Sequence, residues 1–142
     1  SLSKGMIALT NPTAENMFVT AITTLWFSAI SSSIVDNIPF VASMIPLITD
    51  TAHAVLPPSD DYKTVVQHAT LMPVWWSLAL GACLGGNGTP VGASANVITL
   101  GLADKAGYPI SFKKFIIYGI PITIESIVIS TLYLWLRYYL FY

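Results

Sequence analysis

The sequence predicts an all-α membrane protein: a re-entrant helical hairpin, one discontinuous transmembrane helix and one full transmembrane helix. Three observations carry this expectation. Of 142 residues, 54% are hydrophobic and 9% charged, whereas soluble domains carry about 25% charged residues. The charges leave long gaps: Asp36 is the only one between Glu15 and Asp50, none falls between Lys63 and Asp104, and Glu125 alone interrupts the run from Lys114 to Arg137. Two polar, helix-breaking stretches, 31-SSSIVDN-37 and 85-GGNGTPVGASAN-96, sit inside these apolar surroundings.

Residues 1–15 read as an extramembrane lead-in. They show neither an initiator methionine nor a charged-then-apolar signal pattern, so the chain is expected to be part of a longer or processed protein. Residues 16–48 read as the hairpin, with arms 16–30 and 38–48 around a polar tip. As helices the arms reach about 22 and 16 Å, short of the roughly 30 Å of bilayer hydrocarbon. Entry and exit by the same face fits these lengths better than a kinked full span. Pro39 falls in the first turn of the second arm, where proline is tolerated, and Pro46 is expected to distort its end.

Residues 49–71 contain Pro57-Pro58-Ser59-Asp60-Asp61 and read as an exposed, non-cytoplasmic loop. Residues 72–103 form the broken transmembrane helix, whose halves 74–84 and 91–102 each reach only about 17 Å and cross only together. Lys105, Lys113 and Lys114 make 104–114 a basic loop, placed in the cytoplasm by the positive-inside rule. Residues 115–137 are the full span, with Tyr118 at one end and Trp135, Tyr138 and Tyr139 at the other as interfacial anchors, and 138–142 form a tail.

Asp36 is the first candidate functional residue. A carboxylate at membrane depth costs about 2.5–3.5 kcal/mol on insertion scales, so it is normally kept for a partner, an ion or a proton. With Ser33 and Asn37 it offers oxygens that suit a hard cation such as Na⁺, or a proton. Asp36 or Ser33 capping the second arm is the plainer role, and the two are compatible. The second candidate is the break. Unwound backbone at membrane depth is tolerated only where it faces protein or a cavity, and in secondary transporters such breaks hold ions. Gly85, Gly86 and Gly88 allow close approach of the backbone, and Asn87, Thr89, Ser94 and Asn96 supply oxygens and amide donors. Pro90 is placed to start the second half-helix. A Na⁺ would draw on Asp36, Asn37, Asn87 and Thr89. The alternative use of Gly81, Gly85, Gly92 and Ala93 is helix packing. Glu125, in mid-span, is either a proton-relay member or a structural hydrogen-bonding partner.

Other classes find less support. A net charge of −1 leaves no footprint for nucleic acid. Cys83 is alone, so no disulfide framework or multi-cysteine metal site forms within the chain, and it reads as a small buried apolar residue. No lysine follows the glycines as a P-loop requires, and no nucleophile–base pair marks an enzyme. No cofactor is expected beyond Na⁺ or H⁺ as a coupling ion.

The run 31-SSSIVDNIPFVASMIPLI-48 followed by 81-GACLGGNGTPVGASANVITLGLADKAGYPISFKKF-115 closely resembles the C-terminal end of melanosomal P-protein-like members of the ion transporter superfamily. That superfamily includes arsenite permeases, sodium/proton antiporters and citrate and dicarboxylate carriers. The resemblance implies two inverted repeats, each with a re-entrant hairpin and a broken helix meeting at a mid-membrane site. This chain would supply the last part of the second repeat, an N-terminal repeat of the same protein the other half, and a homodimer the assembly. Carboxylate carriers typically show Ser-Asn-Thr at the hairpin tip, whereas this tip reads Ser33-Ile34-Val35-Asp36-Asn37. An acid there repels a dicarboxylate unless a cation or proton neutralises it.

The expected function is therefore part of a secondary transporter in a plasma, inner or organellar membrane, moving a small ion or anion with Na⁺ or H⁺. A channel-like anion or proton conductance that regulates pH, and a non-transporting assembly subunit, are the alternatives.

Overall fold

A computed structural model describes residues 17–56, 63 and 66–140; the lead-in over 1–15 and the proline-rich loop over 57–61 lie outside the described residues. The described residues are helical and contain no strand. Helix α1 (Phe18–Ser32) and α2 (Asn37–Val55) are joined by a turn at residues 33–36. A 3₁₀ turn (Ala69–Leu71) leads into α3 (Met72–Gly85), irregular residues 86–93 separate it from α4 (Ser94–Lys105), and α5 (Phe112–Trp135) continues into one π-helical turn (Leu136–Leu140).

The helix ends follow local chemistry. Asp36 is extended (φ −52°, ψ 136°) and its carboxylate accepts the Ile38 N–H at 3.3 Å, which caps α2. Pro46 lies inside α2 instead of near its end; a lost amide is tolerated in a helix whose neighbours hold it. The helix runs on through residues 49–55 and stops where Leu56 turns extended (φ −88°, ψ 156°), the conformation favoured by a residue preceding proline. With 19 residues α2 is long and apolar enough to cross a membrane. The length argument for a re-entrant pair therefore rests on the 15 residues of α1 alone.

Ser94, not Pro90, opens α4: Pro90 sits in the break, and the extended Ala93 (φ −148°, ψ 138°) precedes the helix. The α5 helix begins ahead of residue 115 because the Ser111 hydroxyl accepts the Lys114 N–H at 3.3 Å. Lys113 and Lys114 therefore sit in its first turn. The second apolar segment long enough to span runs over Phe112–Tyr138.

Small residues set the packing. Helices α1 and α3 form the central pair, and α1 turns Ala21, Thr24, Leu25, Ser28, Ala29 and Ser32 inward. A Cβ on Gly81 would stand 2.4 Å from the Leu25 carbonyl oxygen, and one on Gly85 2.3 Å from that of Ala29. Backbones approach this closely only where side chains are small, the rule for helix association in lipid. One side of the pair packs on Phe40, Met44, Ile48 and Ala52, a four-residue repeat along α2. Phe27 meets Phe40 with ring centroids 6.2 Å apart. The other side packs on Ile127 and Leu134 of α5.

The face that α3 turns inward carries Val74, Leu78, Gly81, Ala82 and Gly85. Cys83 falls on the opposite face and is exposed, contrary to the expectation that it is buried. Helix α4 has no buried residue, and Val97, Ile98 and Leu102 on it are exposed.

Candidate functional site

The turn between α1 and α2 and the break between α3 and α4 are pinned together. Ser32 and Ser33 close α1, where helix-end carbonyls need donors and serine hydroxyls can bond backbone. The Ser32 hydroxyl donates to the Ala82 carbonyl at 2.6 Å. The Ser33 hydroxyl is shared between the carbonyls of Ala29 and Gly85, each at 2.8 Å. In return, the Thr89 hydroxyl donates to the Ser33 carbonyl. Ser94, the first residue of α4, donates its hydroxyl to the Asp36 carboxylate. Asp36 thus stands at the N-termini of both α2 and α4, where helix dipoles favour a negative charge.

Part of the backbone of the break is satisfied within it. Asn87 N–H bonds the Leu84 carbonyl at 3.2 Å and Gly88 N–H that of Gly85 at 2.9 Å. The Asn96 side-chain amide donates to the carbonyls of Gly86 (2.8 Å) and Thr89 (3.1 Å), lacing α4 back onto the loop. Its glycines serve close approach and not left-handed backbone, since Gly107 is the only glycine with positive φ among the described residues. A Cβ on Gly88 would meet the Ser33 hydroxyl at 2.7 Å. At Gly92 a Cβ would meet three carbonyl oxygens, those of Gly86 at 2.7 Å, Ser32 at 2.9 Å and Ser33 at 3.1 Å. These oxygens converge on a space that any side chain would fill.

The expected residues divide accordingly. Ser33, Gly85, Gly88 and Thr89 meet at one point, Asp36 and Ser94 at another, and Gly86 and Asn96 tie the loop between them. Gly85 serves both readings made of it: its carbonyl receives Ser33, and its missing side chain admits α1. The four residues expected around a Na⁺ have separate partners: Thr89 bonds Ser33, Asp36 bonds Ser94, Asn87 lines a cleft along α5, and the Asn37 side chain has no hydrogen bond among the described residues. Glu125 is exposed on α5, and no described hydrogen bond joins it to this cluster.

Two further contributors lie outside the expected site residues, Gly92 having been assigned only to helix packing. Ser32 anchors to Ala82, and Gly92 shapes the carbonyl cluster; the signal for both was a small residue placed where two backbones converge. Thr123, buried on α5 without a partner for its hydroxyl, lines an apolar cleft of about 250 Å³ with Trp26, Ser33 and Thr89.

Two helices long and apolar enough to cross a membrane, taken together with relatives named as membrane proteins and transporters, mark an integral membrane protein. No family model matches the chain, and no solved structure matches it. Among curated proteins it is 44% identical over 131 residues to a 46 kDa membrane protein of Mycobacterium leprae. It is 46% identical over 134 residues to an uncharacterized transporter of Mycobacterium tuberculosis, and 39% identical over 123 residues to the P protein of Homo sapiens. These matches take in 92%, 93% and 87% of the chain but 28%, 28% and 14% of the relatives. The chain thus spans under a third of the length of the curated relatives it matches. It is P-protein-like along most of its length, as its two motifs imply.

Proposed function

We propose that the chain is the C-terminal part of a secondary transporter that moves a small ion or anion, coupled to Na⁺ or H⁺. The observation that supports this best is the pinning of an acidic turn onto a helix break by Ser33, Thr89 and Ser94. A break at membrane depth leaves polar backbone that must face protein or water, and in transporters such backbone serves ions. Oxygens that suit a hard cation lie in two places: the Asp36 carboxylate, and the carbonyls of Ser32, Ser33 and Gly86 around Gly92, of which those of Ser33 and Gly86 also accept Thr89 and Asn96. A proton on the same carboxylate is the alternative, against which stand the two helix N-termini and the Ile38 and Ser94 donors that favour its charged form.

In this reading α1 is the entering arm of a re-entrant pair and α2 the returning one. The exposed Val97, Ile98 and Leu102 of α4 face the N-terminal repeat of the same protein, which supplies the other half of the site. Names of the relatives, a membrane protein and transporters among them, agree with this assignment. The test is flux in proteoliposomes of the full-length protein, with Na⁺ and pH gradients imposed in turn. Uptake driven by either gradient supports coupling, and uptake indifferent to both removes it.

A further inference from the structure

Glu125 is the middle residue of the longer spanning segment: 13 residues precede it and 13 follow within Phe112–Tyr138. At 1.5 Å per residue it lies about 20 Å from either end, more than half of the roughly 30 Å of bilayer hydrocarbon. The buried residues of α5 are Thr123, Ile127, Ser130 and Leu134. At about 100° per residue, all four lie roughly 140–180° round the helix from Glu125. The carboxylate therefore points away from α1, α3 and the polar cluster. It is exposed, with no hydrogen bond or ion pair among the described residues. Tyr118, Ile122, Val128, Ile129 and Leu132 fall within roughly 60° of it and are exposed as well. Pro121, inside the helix on the same face, has no N–H to offer the Ile117 carbonyl. One helix face thus combines apolar cover, a carboxylate and a carbonyl that lacks its helical donor.

We infer that this face of α5 docks a membrane helix from the remainder of the full-length protein, and that the docked helix presents a lysine or arginine to Glu125. A carboxylate at the centre of a span is kept where it meets a partner, and lipid offers none. A carbonyl freed by proline in a membrane helix is likewise met by groups on neighbouring helices. Both groups accept hydrogen bonds, and lysine and arginine only donate them. A second copy of this chain is a poorer match, because its apolar runs over 16–49, 64–103 and 115–136 contain neither lysine nor arginine. The matched part is under a third of the relatives' length, so such a protein has chain to spare for a cation-bearing helix. The inference rests on the reading of this chain as the C-terminal part of a longer transporter. It makes Glu125 an anchor between helices and not a relay to the Asp36 cluster.

The experiment uses the full-length protein with p-benzoylphenylalanine in place of Ile129, irradiated in membranes and digested for mass spectrometry. The expected product is a crosslink within one polypeptide, to an apolar segment outside these 142 residues that carries a lysine or arginine. A crosslink to lipid, to a second copy or to another part of these 142 residues would overturn the docking. Melting temperatures of purified variants test the cation. Glu125→Leu and Glu125→Gln should each lower the melting temperature by several degrees, because either leaves a buried cation unpaired. A higher value for Glu125→Leu, as expected when a charge is removed from lipid, overturns the inference. So does a Glu125→Gln variant that matches the wild type, since only an uncharged partner allows it. Neither readout involves flux, so failure here leaves the transport reading standing.

Discussion

The Ser33 hydroxyl stands 2.8 Å from the carbonyl of Gly85, joining the end of α1 to the end of α3 across 52 positions of sequence. The same hydroxyl serves Ala29 of its own helix, and the Ser33 carbonyl receives Thr89. One residue therefore fastens the acidic turn to both sides of the break. Ser33→Ala is expected to lower stability by about 1 kcal/mol and to lower flux more than stability accounts for. Thermal denaturation and flux of the same purified variant separate the two effects.

The glycines make opposite predictions at two positions. A Cβ at Gly85 would stand 2.3 Å from the Ala29 carbonyl oxygen, whereas nothing lies within 4 Å of one at Gly101. Gly85→Ala should cost about 1–3 kcal/mol through overpacking. Gly101→Ala, inside α4, should stabilise by up to about 1 kcal/mol through helix propensity. Melting temperatures of the two variants, measured side by side, check both signs.

Asn96 offers a test of what holds the loop in shape. Its amide donates to the carbonyls of Gly86 and Thr89. Asn96→Ala loses both bonds, at about 1 kcal/mol each. Asn96→Asp replaces two donors by a charged acceptor facing two carbonyl oxygens, so it should be the worse of the pair despite its closer shape. Protection of the amides of residues 86–93 in hydrogen exchange should fall in the order wild type, Asn96→Ala, Asn96→Asp.

The all-helical membrane fold was legible because its signals are local. Charge-free runs, the Ser31–Ser33 stop and the Gly-Gly-Asn-Gly-Thr-Pro break each declare themselves within a few residues, and all three recur in the structure. Helix ends were less legible. The continuation of α2 past Ile48 depends on a proline being accommodated at 46 while the next prolines, at 57 and 58, stop the chain. The facing of Asp36 onto Ser94, 58 positions away, has no local signal. Residue types singled out the polar groups, but tertiary contact alone decided which of them meet. That is why Ser94 joins Asp36 while Asn87 turns toward α5.

The account rests most heavily on Asp36, which heads two helices and offers the acidic oxygens of the cluster. Asp36→Asn keeps the shape and an acceptor for the Ile38 N–H while removing the charge, so the fold should survive. In proteoliposomes of the full-length protein, this variant is expected to abolish transport driven by Na⁺ or pH gradients, or to leave it indifferent to them. Transport with unchanged coupling and unchanged pH dependence would contradict the assignment.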